Sequence, residues 1–154
     1  MRGFEKVSKN EFSKYSENFE SIIIPKRGTN NSAGYDFYIP FDISIKPNEK
    51  VIVASGIKAY MNTNEVLFIV IRSSFGIKHG MRLLNQVGVI DSDYYNNPDN
   101  EGHILIGLEN TSNEVINFNA GDRIVQGIFL NYLTALNEEK PKVKRLGGIG
   151  STKI

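Results

Sequence analysis

Two acidic side chains and an aromatic ring lie close together in residues 88–94, just after a short apolar run. Asp91 and Asp93 are separated by one serine, and Tyr94 follows directly. A carboxylate within hydrogen-bond reach of a bound water can act as a general base, and a flat ring can pack beneath a sugar. Acidic residues in a turn after a strand usually serve only to form the turn, so other segments must support a catalytic interpretation.

Four further segments carry residue types that such a site needs. They are residues 33–37, 72–76, 121–126 and 145–152. Arg72 can donate a bidentate pair of hydrogen bonds to phosphate oxygens. Ser73, Ser74 and the following backbone N–H groups could form an anion-binding nest beside it. Without the other segments, Arg72 would fit a solvated charge at a strand end equally well.

In this order and spacing, the five segments resemble the five motifs of the trimeric deoxyuridine triphosphatases (dUTPases), over about residues 22–152. The resemblance implies that water attacks the α-phosphate of dUTP to give dUMP and pyrophosphate, which keeps uracil out of DNA and supplies dUMP. It also implies dUTP as the small-molecule substrate, Mg²⁺ as the cofactor, and a homotrimer with shared active sites.

The same resemblance assigns roles to single residues. Asp91 activates the attacking water and accepts a hydrogen bond from the deoxyribose 3′-hydroxyl. Tyr94 packs under the sugar, where a 2′-hydroxyl would clash or lose its partners, although the pattern alone fits a core tyrosine equally well. The residues expected to bind substrate are Arg72, Ser73, Ser74, Asn85, Gly88, Ile90, Tyr94, Gln126, Arg145, Gly150, Ser151 and Thr152.

Residues 83–90 predict two short strands joined by a tight hairpin turn that contains Asn85. Backbone donors and acceptors of a hairpin can copy a Watson–Crick edge, and in the family such a hairpin reads uracil with help from an amide at the Asn85 position. Thymine is then excluded by its methyl group, and cytosine by a mismatch that leaves buried polar groups unpaired. Asn85 is also compatible with a simple turn residue.

Asp36 is an acidic residue inside a strand-like run, where a carboxylate is costly unless it is paired. We expect it to meet an arginine or, through water, a magnesium ion that the phosphates largely hold. Gln126 in the fourth motif, by resemblance, faces the phosphates or supports Asp36. With no cysteine and only two histidines, a bound metal would need oxygen ligands.

Two departures from the family pattern concern the rim of the site. Ile149 and Lys153 stand where the family's tail usually carries a phenylalanine and a glycine, so an aliphatic side chain replaces the ring that normally stacks on uracil. Residues 96–101 lengthen the turn after Tyr94, and this insertion is expected to remodel the pocket rim.

Two alternatives to dUTP hydrolysis stay open on the sequence. The dCTP deaminases share the fold and the triphosphate site, but they must protonate the base and release ammonia; the run of residues 91–94 favours hydrolysis. A catalytically silent nucleotide-binding or partner-binding protein on the same scaffold is the other alternative. The carboxylate of Asp91 argues against it, and a turnover assay separates the three.

Composition limits the class of protein. The 154 residues, 40% of them hydrophobic, predict a single domain over 1–154, and 18 basic against 17 acidic residues give no bulk charge for nucleic-acid binding. The longest apolar run, residues 66–71, is too short to span a bilayer, and the N-terminus lacks a signal-peptide core. We therefore expect a cytoplasmic protein without membrane or nucleic-acid partners.

The N-terminus predicts a helix within residues 1–20. Ser8 and Glu11 form a capping-box pattern, and Val7 can staple onto Phe12. The aromatic side chains at positions 12, 15 and 19 would then form one apolar stripe that docks on the rest of the domain.

The remaining elements predict an all-β fold. Short β-branched and aromatic runs interrupted by Gly, Pro, Asn and Asp are typical of an antiparallel sandwich or barrel. The predicted strands cover residues 22–24, 35–39, 51–53, 66–71, 104–108, 115–118 and 124–130. Periodicity does not separate a jelly roll from an immunoglobulin-like sandwich; the family resemblance implies the jelly roll. Residues 137–154 predict a mobile, glycine-rich tail that orders over an anionic ligand.

Overall fold

The computed structural model describes residues 1–139 and 145–148, and strands dominate them. The strands are β1 (Gly3–Lys6), β2 (Lys26–Arg27), β3 (Tyr35–Tyr38), β4 (Ile43–Ile45), β5 (Lys50–Ala54), β6 (Ile57–Tyr60), β7 (Glu65–Ile71), β8 (Met81–Leu83), β9 (Gly88–Asp91), β10 (Leu105–Asn110), β11 (Ile116–Phe118) and β12 (Arg123–Asn131). The helices are α1 (Lys9–Phe12) and α2 (Ser73–His79), with 3₁₀ turns at Phe19–Ser21 and Ser92–Tyr94. None of the helices in these residues is long and apolar enough to cross a membrane.

The strands pair antiparallel throughout the described residues. The largest sheet has the order β2-β3-β12-β7-β9, and a three-stranded sheet has the order β5-β10-β8. Strand β1 pairs with β6, and β11 pairs with β4. Because β12 lies between β3 and β7, it brings the fourth predicted motif beside the first motif and beside the strand that leads into the second. The predicted all-β antiparallel class is confirmed.

The core consists of aliphatic and aromatic side chains from the inner faces of these sheets. Phe37, Ile45, Leu67, Leu108 and Ile124 are each at most 1% exposed. Strand β10 alternates between half-buried and buried positions along its whole length, as expected of a strand with one face on the core. Burial of such side chains contributes roughly 1.5–3 kcal/mol each, so this core rigidly supports the strand ends where the site residues lie.

The N-terminal helix begins where the sequence predicts, but the prediction of its extent was wrong. The Ser8 hydroxyl accepts a hydrogen bond from the Glu11 N–H at 3.1 Å, and Val7 and Phe12 are both buried. Strand β1 occupies part of the segment predicted as helical, and α1 ends at Phe12. The Glu11 carboxylate does not return to the Ser8 N–H; that group instead donates to Glu101, at 2.9 Å.

The predicted aromatic stripe is divided as a consequence. Phe12 is fully buried, Tyr15 lies past the end of α1 and is 43% exposed, and Phe19 belongs to a separate 3₁₀ turn. The rings of Phe12 and Phe19 still approach within 6.1 Å between centroids. The stripe therefore docks on the domain through its ends, without a continuous helix.

Other elements differ from the sequence prediction. Residues 22–24 form no strand; Ile22 is buried there in irregular chain. Strands β1, β2, β4 and β6 and helix α2 were not predicted. Helix α2 ends at Gly80, whose φ of +63° places it in the left-handed region that glycine adopts without strain. These elements are short, so their sequences carry too few periods to indicate them.

Candidate active site

A cavity of about 220 Å³ opens beside strands β9 and β10, and it collects most of the predicted nucleoside-binding residues. Its walls include the predicted residues Asn85, Gly88, Ile90, Asp91, Tyr94 and Arg145. Apolar side chains such as Ile69, Leu83 and Ile104 form the rest of its lining. An apolar cleft with a few convergent polar groups is the usual form of a small-molecule site.

Asp91 ends β9, where it pairs with Val66 of β7, and its side chain is 49% exposed. Its Oδ2 accepts a hydrogen bond from an Arg145 NH2 at 2.5 Å, and Asp93 accepts from the Arg145 Nε at 2.8 Å. One guanidinium thus bridges the two carboxylates. The Asp93 side chain, which could have closed its own turn, instead binds this arginine.

Tyr94 follows in the 3₁₀ turn and is only 8% exposed, with one surface on the cavity. Its hydroxyl donates to the His103 carbonyl at 2.9 Å and accepts from the Asn100 amide at 2.8 Å. Burial raises the pKa of the phenol, so the ring is neutral and keeps its proton as a donor. Arg145 lies with its guanidinium carbon 5.8 Å from the ring centroid, within cation–π range. Tyr94 is therefore both a buried residue and a wall of the cavity.

Residues 84–87 form the turn that brings Asn85 and Gly88 to the cavity, but the predicted hairpin was wrong. Strand β8 pairs with β10, whereas β9 pairs with β7, so the turn joins two different sheets. Gln86 adopts a φ of +61° at the corner. A Cβ on Gly88 would lie 3.1 Å from the Ile69 Cβ, which is why glycine suits the close approach of β9 to β7.

A second pocket lies elsewhere on the chain and is built around Asp36. The Asp36 side chain is 9% exposed; its Oδ1 lies 2.9 Å from the Arg72 Nε and its Oδ2 lies 3.1 Å from an Arg123 NH1. The prediction that Asp36 meets an arginine is confirmed, and it meets two. Arg72 also donates to the Arg123 carbonyl at 3.1 Å, which fixes the orientation of its guanidinium. We name this group the arginine pocket.

Gln126 and Ser73 complete the arginine pocket together with the loop that contains Gly28, Thr29 and Ser32. Gln126 lies directly opposite Asp36 in the pairing of β12 with β3. A Cβ on Gly34 would lie only 2.2 Å from the Gln126 Oε1, so a glycine is required for the amide to occupy this position. Ser74, the second residue of α2, is not among the lining residues in the described part of the chain.

The predicted site residues therefore form two groups within one chain. The cavity and the arginine pocket share no lining residue. The predicted tail residues Gly150, Ser151 and Thr152, and with them Ile149, lie outside the described residues.

Sequence reasoning missed several contributors. Arg123 was noted only as part of its motif, although a basic residue near the start of a strand is a usable signal for an acidic partner. Asn97 and Asn100, which are 5% and 9% exposed, were read as an insertion at the rim. Gly148 approaches the Tyr94 hydroxyl so closely that a Cβ on it would lie 3.3 Å away. The contacts of Arg123 and Gly148 join distant parts of the chain, so no local pattern predicts them. Asn97 and Asn100 lie close to Tyr94 in sequence, but nothing in their pattern predicts that they are buried.

The antiparallel sheets define an all-β protein, and its cavity, lined by Asp91 and by both polar and apolar groups, is a candidate site for a small polar ligand. The family model described as dUTPase matches residues 20–153. The chain belongs to the dUTPase family. This membership agrees with the five motifs and with the predicted jelly-roll-like fold.

Individual relatives agree with this placement. The chain is 45% identical over 153 residues to the deoxyuridine 5′-triphosphate nucleotidohydrolase of Lactococcus lactis, covering 99% of this chain and 97% of that protein. It superposes on the crystal structure of the dUTPase from Streptococcus mutans with a TM-score of 0.74 and 42% identity, covering 86% of this chain and 98% of the other. The chain also matches a dUTPase from phage phi11 of S. aureus, at 17% identity and a TM-score of 0.70. The match covers 92% of this chain and 97% of the phage protein's chain, and it shows a shared fold.

Proposed function

We propose that this protein hydrolyses dUTP to dUMP and pyrophosphate, and thereby keeps uracil out of DNA and supplies dUMP. The observation that carries the proposal is the position of Asp91 in a protein of the dUTPase family. A half-exposed carboxylate lines a cavity that has both polar and apolar walls, next to a buried aromatic ring. This arrangement places a proton acceptor beside a cavity whose lining suits a nucleoside.

In the proposed reaction, Asp91 is the general base. It accepts a proton from a water whose oxygen then bonds to the α-phosphorus. The bond from that phosphorus to the bridging oxygen breaks, and pyrophosphate leaves with the electron pair. Arg145 binds Oδ2 of Asp91, which leaves the other carboxylate oxygen and the remaining lone pairs for the water and the 3′-hydroxyl.

The cavity would receive the nucleoside. The turn at residues 84–87 offers backbone groups and the Asn85 amide to a uracil edge, and Ile90 and Ile69 supply apolar walls. Tyr94 would lie beneath the deoxyribose. Because its hydroxyl is already engaged on both sides, the ring cannot readily move away from an added 2′-hydroxyl.

The arginine pocket would receive the phosphates. Two guanidinium groups surround one carboxylate, so the pocket has an excess of positive charge, and Asp36 orients Arg72 for a charge-assisted contact. We assign Gln126 and Ser73 to the same role, and Arg145 with residues 150–152 to the triphosphate in the family manner.

Mg²⁺ is the cofactor we propose. Both oxygens of Asp36 already bind arginines, so this residue suits an indirect contact through water and the phosphates would supply the direct ligands. Within the described residues, no three His, Asp or Glu side chains come together as a ready metal cage. A bound Mg²⁺ would neutralise the charge that develops on the phosphates.

A homotrimer with shared active sites is also part of the proposal. A triphosphate needs a nucleoside site and a phosphate site together, whereas one chain holds these as two pockets with no common residue. Assembly that places the cavity of one subunit against the arginine pocket of the next would complete the site. Single-domain organisation over 1–154 and a cytoplasmic location remain predictions that fit this function.

Product analysis tests the function. Purified protein is incubated with dUTP, dCTP, dTTP or UTP in Mg²⁺, and nucleotide products, pyrophosphate and ammonia are measured. We expect pyrophosphate and dUMP from dUTP alone. Ammonia from dCTP would reassign the protein as a deaminase, and nucleotide binding without turnover would identify a silent binding protein. Equal turnover of UTP would contradict the proposed sugar selection.

A further inference from the structure

The loop that follows Tyr94 is held by two buried asparagines. Asn97 and Asn100 are 5% and 9% exposed, although asparagine is usually found at the surface. A buried amide is tolerated only when its hydrogen-bonding groups are satisfied, so the partners of these side chains show what they hold in place.

Asn97 closes the loop on itself. Its Oδ1 accepts from the backbone N–H groups of Asp99 and Asn100, both at 3.1 Å. Its Nδ2 donates to the Tyr94 carbonyl and to the Asn100 Oδ1, both at 2.8 Å. The backbone packs so tightly that a Cβ on Gly102, at a φ of +83°, would lie 2.6 Å from the Tyr94 carbonyl oxygen.

Asn100 connects this loop to the end of the Tyr94 side chain. Its Oδ1 accepts from Asn97 and from the Gly102 N–H, at 2.8 and 3.1 Å, so the amide cannot flip without losing both bonds. Its Nδ2 therefore faces the Tyr94 hydroxyl and donates to it at 2.8 Å. The phenol proton is directed in turn to the His103 carbonyl, at 2.9 Å.

The phenol is thus held at its far end by one donor and one acceptor, while the opposite end is fixed by the backbone. A ring attached at both ends cannot tilt without breaking a hydrogen bond that is out of contact with water. The cavity side of the ring is the surface that would meet the sugar. Any loosening at the hydroxyl would move that surface first.

We propose that Asn100 is a positioning residue for sugar selection, acting through the Tyr94 hydroxyl. This inference rests on the proposed function, because it concerns the preference for dUTP over UTP. With Asn100 in place, the ring stands where a 2′-hydroxyl cannot fit; without its amide donor, the ring can tilt and admit the larger sugar. The loop of residues 96–101 thereby contributes to specificity through the hydroxyl end of the ring.

The decisive variant is Asn100→Asp, which keeps the size and the Oδ1 acceptor but puts an acceptor in place of the amide donor. The Tyr94 hydroxyl, which has one proton, can then donate either to the new carboxylate or to the His103 carbonyl, so it makes one hydrogen bond where it made two. The ratio of kcat/KM for dUTP to kcat/KM for UTP is measured beside the melting temperature. Loss of one hydrogen bond of about 1 kcal/mol corresponds to a fall of about fivefold in the ratio. A purely structural role would lower the melting temperature or both activities and leave the ratio unchanged.

Tyr94→Phe provides an independent test, because it removes the hydroxyl and keeps the ring. It should lower the ratio by a similar factor, and Asn100→Asp should add little in the Tyr94→Phe background if both act through one bond. The matched control is Asn96→Asp in the same loop; Asn96 is exposed, and its side chain accepts from Lys58. This variant should retain the wild-type ratio.

Each outcome either supports or overturns the proposed role of Asn100. A folded Asn100→Asp protein with the wild-type ratio overturns the proposal, and so does full additivity with Tyr94→Phe. If Asn100→Asp does not fold, an unchanged ratio in Tyr94→Phe overturns it and a lowered ratio supports it. Wild-type protein without a preference for dUTP would instead refute the proposed function, and that failure is visible before any variant is assayed.

Discussion

The cavity and the arginine pocket show opposite ways of using charge. At the cavity, two partly exposed carboxylates share one guanidinium over apolar walls. At the arginine pocket, two guanidiniums share one carboxylate that is 9% exposed. The excess charge is therefore negative at the first site and positive at the second.

This difference matches the two ends of a nucleoside triphosphate. The proposed general base, Asp91, is in contact with water, as a carboxylate that accepts a proton from water needs to be. Asp36 is buried between two arginines, and screening by water weakens its attraction to them less than it would at the surface. Residues of one chemical type thus take different roles according to exposure and partners.

The largest expected effect is at the cavity. Asp91→Asn keeps the size and hydrogen-bonding reach of the side chain while removing the proton acceptor. We expect kcat to fall by about a hundredfold or more, with nucleotide binding largely retained. Asp99→Asn, in an exposed loop nearby, serves as the matched control and should retain activity. Near-normal kcat in Asp91→Asn would show that another group is the base.

The arginine pocket should respond differently. Arg72→Gln removes one charged donor, so kcat/KM should fall about tenfold to a hundredfold, the effect of about 1.5–3 kcal/mol for a charge-assisted hydrogen bond. Steady-state kinetics with dUTP measure it. Arg82→Gln is the control, since Arg82 binds Glu109 and lines neither pocket. Equal losses of kcat/KM in Arg72→Gln and Arg82→Gln would show that the arginine pocket has no special role in the reaction.

The tail contributes Arg145 to the cavity and is expected to contribute phosphate-binding residues as well. Deleting residues 145–154 removes Arg145 from Asp91 and Asp93, together with the predicted phosphate-binding residues. Turnover should fall roughly tenfold or more, as for loss of a charge-assisted contact, while the melting temperature and the oligomeric state stay nearly unchanged. Full activity of the shortened protein would contradict the role of the tail. A protein that no longer folds would show that the tail is structural.

Sugar discrimination should change less than turnover. Tyr94→Ala removes the surface beneath the deoxyribose, so the preference for dUTP over UTP should narrow by about tenfold, near the lower end of what shape exclusion provides. The ratio of the two kcat/KM values is the measurement, with the melting temperature as a check on the lost packing. An unchanged ratio would show that the Tyr94 ring only packs in the core and does not select the sugar.

The smallest effect concerns stability at mildly acidic pH. His103 is fully buried; its Nε2 accepts from the Gly56 N–H at 2.9 Å, so Nδ1 carries the proton and faces Glu11. Burial lowers the pKa of His103, although Glu11 opposes this. The unfolded chain then binds the proton more readily, so this contribution to stability is complete above about pH 6.5 and is lost below it.

Urea unfolding at about pH 7.5 and about pH 5.5 tests this expectation. The wild-type protein should lose stability between the two conditions, and His103→Gln, which does not titrate, should lose less. Equal pH dependence in both proteins would assign the effect to other groups, such as the carboxylates. The His103→Gln substitution should leave the preference for dUTP over UTP at neutral pH unchanged.

The sequence by itself determined the antiparallel class, the family and the identity of most candidate site residues. It could do so because strand periodicity, helix caps and motif spacing are local properties. The Ser8 cap is an example, since a side chain reaches an N–H three residues away. The extent of α1 was mispredicted because the aromatic spacing continues to position 19, whereas the helix ends at Phe12 with Ser13 as its C-cap.

Only the tertiary structure decided which residues meet. Asp36 and Arg123 are 87 positions apart, and their contact depends on the pairing of β3 with β12. The turn at residues 84–87 was misread as a hairpin because β8 and β9 join different sheets, a choice made by the partners β10 and β7. The two buried asparagines after Tyr94 are close to it in sequence, but their composition predicts only an exposed loop; the fold buries them and aims the Asn100 amide at the Tyr94 hydroxyl.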